Sequence, residues 1–122
     1  MAQHNELGKQ GEKMAVAHLI KLGYEILATN FVYQKNEIDI IARLNDVIAI
    51  VEVKTRSTPE FGDPKDFLKP SQIKRIVAAA HHFVEEILEP QEDVEVRFDI
   101  MSIIKNKAGT RMEFITDAFY HF

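Results

Sequence analysis

Hydrophobic residues recur along this chain with two spacings, and each spacing predicts a different type of secondary structure. Apolar side chains three or four positions apart predict a helix from about Asn5 to Leu22, with Gly23 as its C-terminal cap. The same spacing predicts a second helix from Pro70 to about Leu88. Each helix is therefore expected to bury one face against the rest of the fold.

The chain between these helices is rich in β-branched and aromatic residues and predicts three strands. The first strand is expected from Tyr24 to Tyr33, with an irregularity at Asn30. The stretch from Asn36 to Arg56 then holds two apolar runs joined by Asn45-Asp46, a pair that suits a tight turn. This stretch is predicted to be a β-hairpin.

The last third of the chain predicts two more strands. Residues from Val94 to Ile104 alternate between apolar and charged, residues 105–109 are expected to turn, and a final strand begins at about Arg111. Prolines and a glycine predict a loop over residues 57–64. The order helix, three strands, helix, two strands predicts a single α/β domain over residues 1–122, with a mixed five-stranded sheet and helices packed on it.

The two-residue turn fixes which residues of the hairpin lie opposite each other. If Leu44 pairs with Val47, Asp39 lies opposite Glu52 and Glu37 lies opposite Lys54, all on one face. The opposite face is then entirely apolar. It carries Ile38, Ile40, Ala42 and Leu44 from one strand and Val47, Ala49, Val51 and Val53 from the other.

Asp39 and Glu52 form an unfavourable pair in this register. Two carboxylates roughly 5 Å apart repel by about 3 kcal/mol at an effective dielectric constant near 20. A divalent cation would turn the repulsion into attraction, and Mg²⁺ typically takes one or two carboxylates together with waters and a phosphate. The alternative is a solvated sheet face on which Asp39 pairs diagonally with Lys54.

A third carboxylate, Glu12, borders the apolar stripe of the first helix, where an unpaired charge would be costly. The neighbouring Gly8 and Gly11 weaken a helix interior, which suggests that another element approaches this backbone closely. An ion pair of Glu12 with Lys9 or Lys13 is the alternative to a role in a site.

Composition narrows the class of protein. The chain has 122 residues, no cysteine and a formal net charge of −4, which excludes disulfides and thiol nucleophiles and argues against indiscriminate binding of nucleic acid. No apolar run approaches a membrane span, and the polar start is not a signal peptide. No P-loop, dinucleotide fingerprint, zinc motif or serine elbow occurs. We therefore expect a cytoplasmic protein without a membrane partner.

Cations cluster where the second helix begins, despite the acidic total. Lys69, Lys74 and Arg75 lie in or just before its first turns, where positive charge does not complement the helix dipole. An anion docking there would relieve the mismatch. The alternative is an ordinary solvated basic face.

Asp39 followed by Glu52-Val53-Lys54 is the pattern D…E-x-K, and here the chain resembles the PD-(D/E)xK nuclease superfamily. Within it, the chain is similar to the YraN family of small bacterial proteins with a Holliday-junction-resolvase-like fold. The resemblance covers most of the chain, and its motifs are Gly8-x-x-Gly11-Glu12 with Ala15, Leu22-Gly23-Tyr24, Asn30-Phe31, Glu37-Ile38-Asp39-Ile40-Ile41-Ala42, Val51-Glu52-Val53-Lys54-Thr55-Arg56, Arg97-Phe98-Asp99 and Ala118-Phe119. The family's usual glycine before Glu37 is Asn36 here, which can also adopt a positive φ.

The resemblance implies a restriction-endonuclease-like fold and metal-dependent hydrolysis of phosphodiester bonds with Mg²⁺ or Mn²⁺. The implied metal ligands are Asp39, Glu52 and the backbone carbonyl of Val53. Glu12 is implied as an auxiliary acid and Gln72 as a residue near the attacking water. Lys54 is expected to orient that water or hold the phosphate as an ammonium group, because two adjacent carboxylates favour its charged form. The cations expected to bind the DNA backbone are Arg56, Lys69, Lys74 and Arg75.

Two functions from different classes follow from these residues. One is an endonuclease that acts on structured or branched DNA. The other is a non-catalytic module that binds nucleic acid or protein and keeps the nuclease fold, because a fold alone does not determine activity. Branched-DNA nucleases of similar fold commonly act as dimers, so a homodimer is a further expectation.

Overall fold

Five strands form one mixed sheet with a helix on each face. The computed structural model describes residues 6–59, 68–88 and 93–120. Its elements in chain order are α1 (Glu6–Lys21), β1 (Glu25–Tyr33), β2 (Asn36–Leu44), β3 (Val47–Arg56), α2 (Pro70–Glu86), β4 (Glu95–Asn106) and β5 (Gly109–Ile115). The sequence therefore predicted the number, type and order of these elements correctly.

The sheet has the strand order β1-β2-β3-β4-β5. The β3–β4 pair is parallel and the other three pairs are antiparallel. Because parallel neighbours require a crossover, α2 lies between β3 and β4 in the chain. This mixed α/β architecture is compatible with the restriction-endonuclease-like fold that the resemblance implies.

The hairpin has the predicted register from Leu44 and Val47 to Ile40 and Val51, but the predicted pairs Asp39–Glu52 and Glu37–Lys54 do not form, and Glu37 pairs with Val32 of β1. Its turn uses a positive φ of 55° at Asn45. The preceding β1–β2 turn uses positive φ at Gln34 and Lys35, whereas Asn36 already belongs to β2. Asn36 therefore does not need the conformational freedom of the glycine that it replaces.

The predicted turn at residues 105–109 is shorter in the structure. The strands β4 and β5 stay paired as far as Asn106 and Gly109, which leaves Lys107 and Ala108 as the turn. The side chain of Asn106 accepts a hydrogen bond from the Ala108 N–H at 2.8 Å, and Gly109 has φ +131°. Most of the predicted loop at residues 57–64 lies outside the described residues, as does part of the link after α2.

Each helix covers one face of the sheet. The α1 side buries Ala15, Leu19, Tyr24, Ile40, Ala42, Ala49, Val51, Met101 and Ile103. The α2 side buries Ile38, Ile41, Ile48, Ile50, Leu68, Ile76, Ala79, Ala80, Phe83, Phe98, Ile100, Ala118 and Phe119. Coverage on both faces explains the nearly continuous apolar sequence of β2 and β3.

Gly11 sets the distance between α1 and the sheet. A Cβ atom at this position would lie 2.9 Å from Cβ of Thr55 on β3 and would also overlap the Thr55 hydroxyl. The predicted close approach at this glycine is confirmed. Because Glu12 is the next residue of the helix, this contact also fixes its position relative to the end of β3.

A buried ion pair ties β4 to the rest of the fold. The Arg97 guanidinium donates to both carboxylate oxygens of Asp99 at 2.9–3.0 Å and to the Tyr24 hydroxyl at 2.6 Å. The Asp117 N–H donates to Asp99 at 2.8 Å. Burial alone would lower the pKa of Arg97, but these bonds raise it above its ordinary range, whereas burial raises the pKa of Asp99. The Arg97-Phe98-Asp99 motif is therefore structural here.

Neither of the helices in the described part of the chain is both long and apolar enough to cross a membrane.

Candidate functional site

The strands β2 and β3 separate at the position of Asp39. The β2–β3 pairing runs from Leu44 and Val47 to Ile40 and Val51. Beyond this point β2 stays paired with β1 but no longer with β3. At the fork, Oδ2 of Asp39 accepts a hydrogen bond from the Val53 N–H at 2.8 Å, so a side chain takes the place of a backbone partner. The two acidic residues therefore meet where the sheet opens.

The fork also breaks the alternation of side chains along β2. Ile40 packs on the α1 side as predicted, but Ile38 packs on the α2 side together with Ile41. The prediction that Ile38 and Ile40 share a face was therefore wrong. A period of two requires a regular strand, and the regular β2–β3 pairing has ended before Ile38 is reached.

A polar cleft of about 390 Å³ opens at this fork between the two helices. It is bordered by four carboxylates, three cations, one amide and two aliphatic residues: Glu12, Glu37, Asp39, Glu52, Lys35, Lys54, Arg75, Gln72, Val53 and Ile76. These residues come from α1, the β1–β2 turn, β2, β3 and α2. Five segments of the chain thus contribute to one concave surface.

Asp39 and Glu52 are in contact within this cleft. The backbone N–H of Asp39 donates a long hydrogen bond, 3.4 Å, to Oε2 of Glu52. Glu52 is only 5% exposed. Burial raises the pKa of Asp39 to about 6; the Val53 N–H opposes this change, and the charges of Glu12 and Glu37 add to it. Burial, followed by the charge of Asp39, raises the pKa of Glu52 well above its usual range. The metal-free pair is therefore electrostatically unfavourable, as the register predicted.

Lys54 supplies positive charge beside this pair. Its charge lowers the pKa of both Asp39 and Glu52, although burial has the larger effect on each. It follows Glu52 by two positions on β3, so its side chain lies on the same face of the strand. Lys54 is therefore placed to contact an anion that enters the cleft.

The helices contribute Glu12 from one side and Gln72 from the other, as the sequence predicted. Gln72, Arg75 and Ile76 follow helical spacing in the first two turns of α2, so one face of this helix borders the cleft. Among the described residues, Glu12 forms no ion pair with Lys9 or Lys13, which was the alternative to a role in a site. Its Oε1 instead accepts a hydrogen bond from the side chain of Asn30 at 3.3 Å.

The predicted DNA-binding cations are not all near the cleft. Arg75 lines it, whereas Lys69 and Lys74 are exposed and do not. Arg56 does not line the cleft either; its guanidinium donates to the Ser102 hydroxyl at 3.2 Å, where β3 pairs with β4. Lys35 lines the cleft and was missed. The signal for it was its position in the turn that leads into Glu37.

The donor set fits a hard divalent cation. Within residues 6–59, 68–88 and 93–120, no three His, Cys, Asp or Glu side chains are arranged to hold a metal ion, so a cation between Asp39 and Glu52 would need its other ligands from backbone, water or phosphate oxygens. The Val53 N–H points at Asp39, and the carbonyl of the same strand residue faces the same side, where the β2 ladder has ended. Two carboxylates and a carbonyl, completed by water or phosphate oxygens, suit Mg²⁺ or Mn²⁺.

The chain is similar to proteins that share one family model. The model described as "Uncharacterised protein family UPF0102" matches residues 11–103, which include every residue that lines the cleft. A UPF0102 protein of Christiangramia forsetii is 59% identical over 122 residues, the full length of both chains. A UPF0102 protein of Flavobacterium johnsoniae is 47% identical over the full length of both. One from Parabacteroides distasonis is 43% identical, over 98% of this chain and 97% of the relative.

Proposed function

The chain belongs to the uncharacterised protein family UPF0102, and we propose that it is a metal-dependent endonuclease of the PD-(D/E)xK type. Its proposed substrate is structured or branched DNA, in which it hydrolyses phosphodiester bonds. The observation that carries the proposal is the contact of Asp39 and Glu52 at the fork of β2 and β3, with Lys54 on the same cleft.

Electrostatics support a cation at this fork. Burial and the charges of neighbouring carboxylates raise the pKa values of both acids, so ionising them in the metal-free protein is unfavourable. Among the described residues, this pair receives one short backbone hydrogen bond at Asp39 and one long one at Glu52, and the charge of Lys54 offsets only part of the effect of burial. Strongly perturbed carboxylates in a polar cleft are typical of functional sites.

In the proposed site, Asp39, Glu52 and the Val53 carbonyl hold the cation. When bound, Mg²⁺ or Mn²⁺ would stabilise negative charge on the phosphate and lower the pKa of water. The ammonium group of Lys54 binds a non-bridging phosphate oxygen or orients the water. The Gln72 amide, which can donate and accept, aligns the water with phosphorus, and the Glu12 carboxylate assists as an auxiliary acid.

The rim of the cleft fits a phosphodiester strand. Arg75 on α2 and Lys35 in the β1–β2 turn border the acidic centre, so a strand that crosses it meets a cation at each of these positions. The formal net charge of −4 would disfavour binding elsewhere on the surface. Local positive charge at the rim therefore supports a role in substrate binding. The homodimer and the cytoplasmic location stay predictions.

Cleavage by purified protein tests the proposal. Branched and linear DNA of the same sequence would be incubated with Mg²⁺, Mn²⁺ or EDTA. Wild-type protein should cleave with metal and not with EDTA, and Asp39→Asn and Glu52→Gln should abolish cleavage. Asp46→Asn, a matched change at an exposed turn position, should retain it. Equal cleavage by wild type and the two site variants would point to a contaminant.

The alternative is a binding module without catalysis. Under this alternative, the chain would bind branched DNA in EDTA, Arg75→Gln would weaken that binding, and no metal would support cleavage. A thermal-shift measurement tests the metal site separately from cleavage. A ligand that binds only the folded protein raises the free energy of unfolding by about 2.7 kcal/mol when its concentration is about 100 times its Kd. Mn²⁺ should raise the Tm of wild type and not that of Asp39→Asn if the metal site exists.

A further inference from the structure

We infer that Asn30 is a positioning residue that ties Glu12 to Glu37 and holds both carboxylates at the metal-binding cleft. This inference rests on the proposed function and adds a residue to it. Asn30 lies on β1, a strand that contributes no residue to the lining of the cleft within the described part of the chain. It borders instead a neighbouring cavity that shares Glu12 with the cleft.

The side-chain amide of Asn30 bridges two elements. Its Nδ2 donates to Oε1 of Glu12 on α1 at 3.3 Å and to Oε2 of Glu37 on β2 at 3.1 Å. Ionised carboxylates can only accept, and the amide nitrogen carries two hydrogens, so both bonds form at once. An amide is therefore the neutral group that can hold two like charges together without neutralising either.

The backbone of Asn30 is shaped for this contact. Its φ is +51°, a left-handed conformation that is uncommon in a strand and that asparagine adopts more readily than most residues. Its neighbours Thr29 and Phe31 pair with Ile40 and Ile38, so Asn30 lies at the level of Asp39. The irregular residue of β1 is thus at the same level as the fork between β2 and β3.

Both carboxylates that Asn30 holds act on the proposed metal ligand. Glu12 and Glu37 line the same cleft as Asp39, and the charge of each raises the pKa of Asp39. Without a common donor, these two acids would repel each other, and their exposed or half-buried side chains could turn toward solvent. Outer-shell partners that orient the groups around a metal typically change its affinity by 10–100-fold when removed.

Asn30→Gly is the variant that isolates the side chain. Glycine accepts the positive φ, so the backbone is not strained and only the amide is lost. Asn45→Gly is a matched control, because Asn45 has φ +55° and lies in the β2–β3 turn, outside the cleft. Mn²⁺ alone would be titrated into each metal-free protein, without DNA, by calorimetry and by thermal shift. We expect Asn30→Gly to bind Mn²⁺ about 10–100-fold more weakly than wild type and Asn45→Gly to bind like wild type.

Asn30→Asp tests the bridge in the absence of metal. Aspartate keeps the size and the tolerance of a positive φ but replaces the donor with a third negative charge beside Glu12 and Glu37. At low salt it should melt below Asn30→Gly, and the gap should narrow as salt screens the repulsion. Asn45→Asp and Asn45→Gly should show no such salt-dependent gap.

The outcomes separate this inference from the proposed function. If wild type binds Mn²⁺ and Asn30→Gly binds it equally well, the positioning role is overturned while the metal site stands. If Asn30→Asp and Asn30→Gly melt alike at every salt concentration, the bridge itself is overturned. If wild type does not bind Mn²⁺, the proposed metal site is overturned and the positioning role with it.

Discussion

Replacing Asp39 with asparagine should stabilise the metal-free protein at neutral pH. Burial and the charges of Glu12 and Glu37 place the pKa of Asp39 at about 6, against 3.8 for an unperturbed aspartate. Between these two values the folded state holds a proton that the unfolded state has released. The free energy of unfolding of the wild type therefore falls as pH rises through this range.

The size of the effect follows from the two pKa values. A change from 3.8 to about 6, at about 1.4 kcal/mol for each pKa unit, gives a ceiling of about 3 kcal/mol for Asp39. Asparagine can still accept the hydrogen bond from the Val53 N–H, but its own amide hydrogens must find partners in the cleft. We therefore expect Asp39→Asn to gain about 1–2 kcal/mol at pH 7.5.

Urea denaturation in EDTA buffers from pH 4.5 to 8 measures this difference. The gain of the variant over wild type should be small near pH 4.5 and grow until pH exceeds about 7, because Asp39 is then ionised in the folded wild type. The comparison removes the contribution of the other acidic groups, except for Glu52, which titrates together with Asp39. Asp46→Asn, at an exposed turn position, is the matched control.

Metal should reverse the order of stability. If the proposed site holds Mn²⁺ and Asp39→Asn does not, Mn²⁺ at about 100 times its Kd should add about 2.7 kcal/mol to wild type alone and make it the more stable protein. A variant that is no more stable than wild type in EDTA, or a gain that does not change with pH, would refute the electrostatic reasoning about the fork.

Two further predictions concern packing and charge. Gly11→Ala should destabilise by about 1–3 kcal/mol in urea denaturation, because its methyl group overlaps Thr55, and Thr55→Ala in the same chain should recover part of the loss; an additive double variant would contradict this. Arg75→Gln should weaken DNA binding and lower the slope of log K against log salt by about 1, while Lys74→Gln should leave the slope unchanged because Lys74 does not line the cleft. Equal slopes for the two variants would place the DNA elsewhere.

Much of the fold could be predicted because its determinants are local. A two-residue turn fixed the register of the hairpin, and helical spacing identified both helices. The glycine at position 11 signalled close packing before its partner Thr55 was known. The two helices end one or two residues before the predicted positions, because the apolar pattern continues past the last hydrogen-bonded turn, whereas the predicted start at Asn5 lies outside the described residues.

The parts that could not be predicted depend on contacts between distant segments. Asn30 was recognised as an irregularity in a strand, but its bonds to Glu12 and Glu37 join three elements that no spacing relates. Lys69 and Lys74 shared the basic character of Arg75, yet only the helical face that contains Arg75 borders the cleft. Charge clustering in sequence indicates a basic region without identifying the side chains that face a ligand.

The fork itself explains why the D…E-x-K pattern is a weak signal alone and a stronger one in this fold. Strict alternation along β2 would have kept Asp39 beside Glu52 on a continuous sheet, with α2 covering that face and excluding a ligand. The structure ends the β2–β3 ladder one residue earlier, at Ile40, so the Asp39 carboxylate bonds the backbone of β3 and the space beyond it stays open. The same break carries Ile38 to the α2 side, where it fills the core next to Ile41. One interruption of the β2–β3 pairing thus opens the cleft, orients Asp39 and places Ile38 in the core. The position of this interruption therefore matters more to the proposed chemistry than the spacing of the acids along the chain.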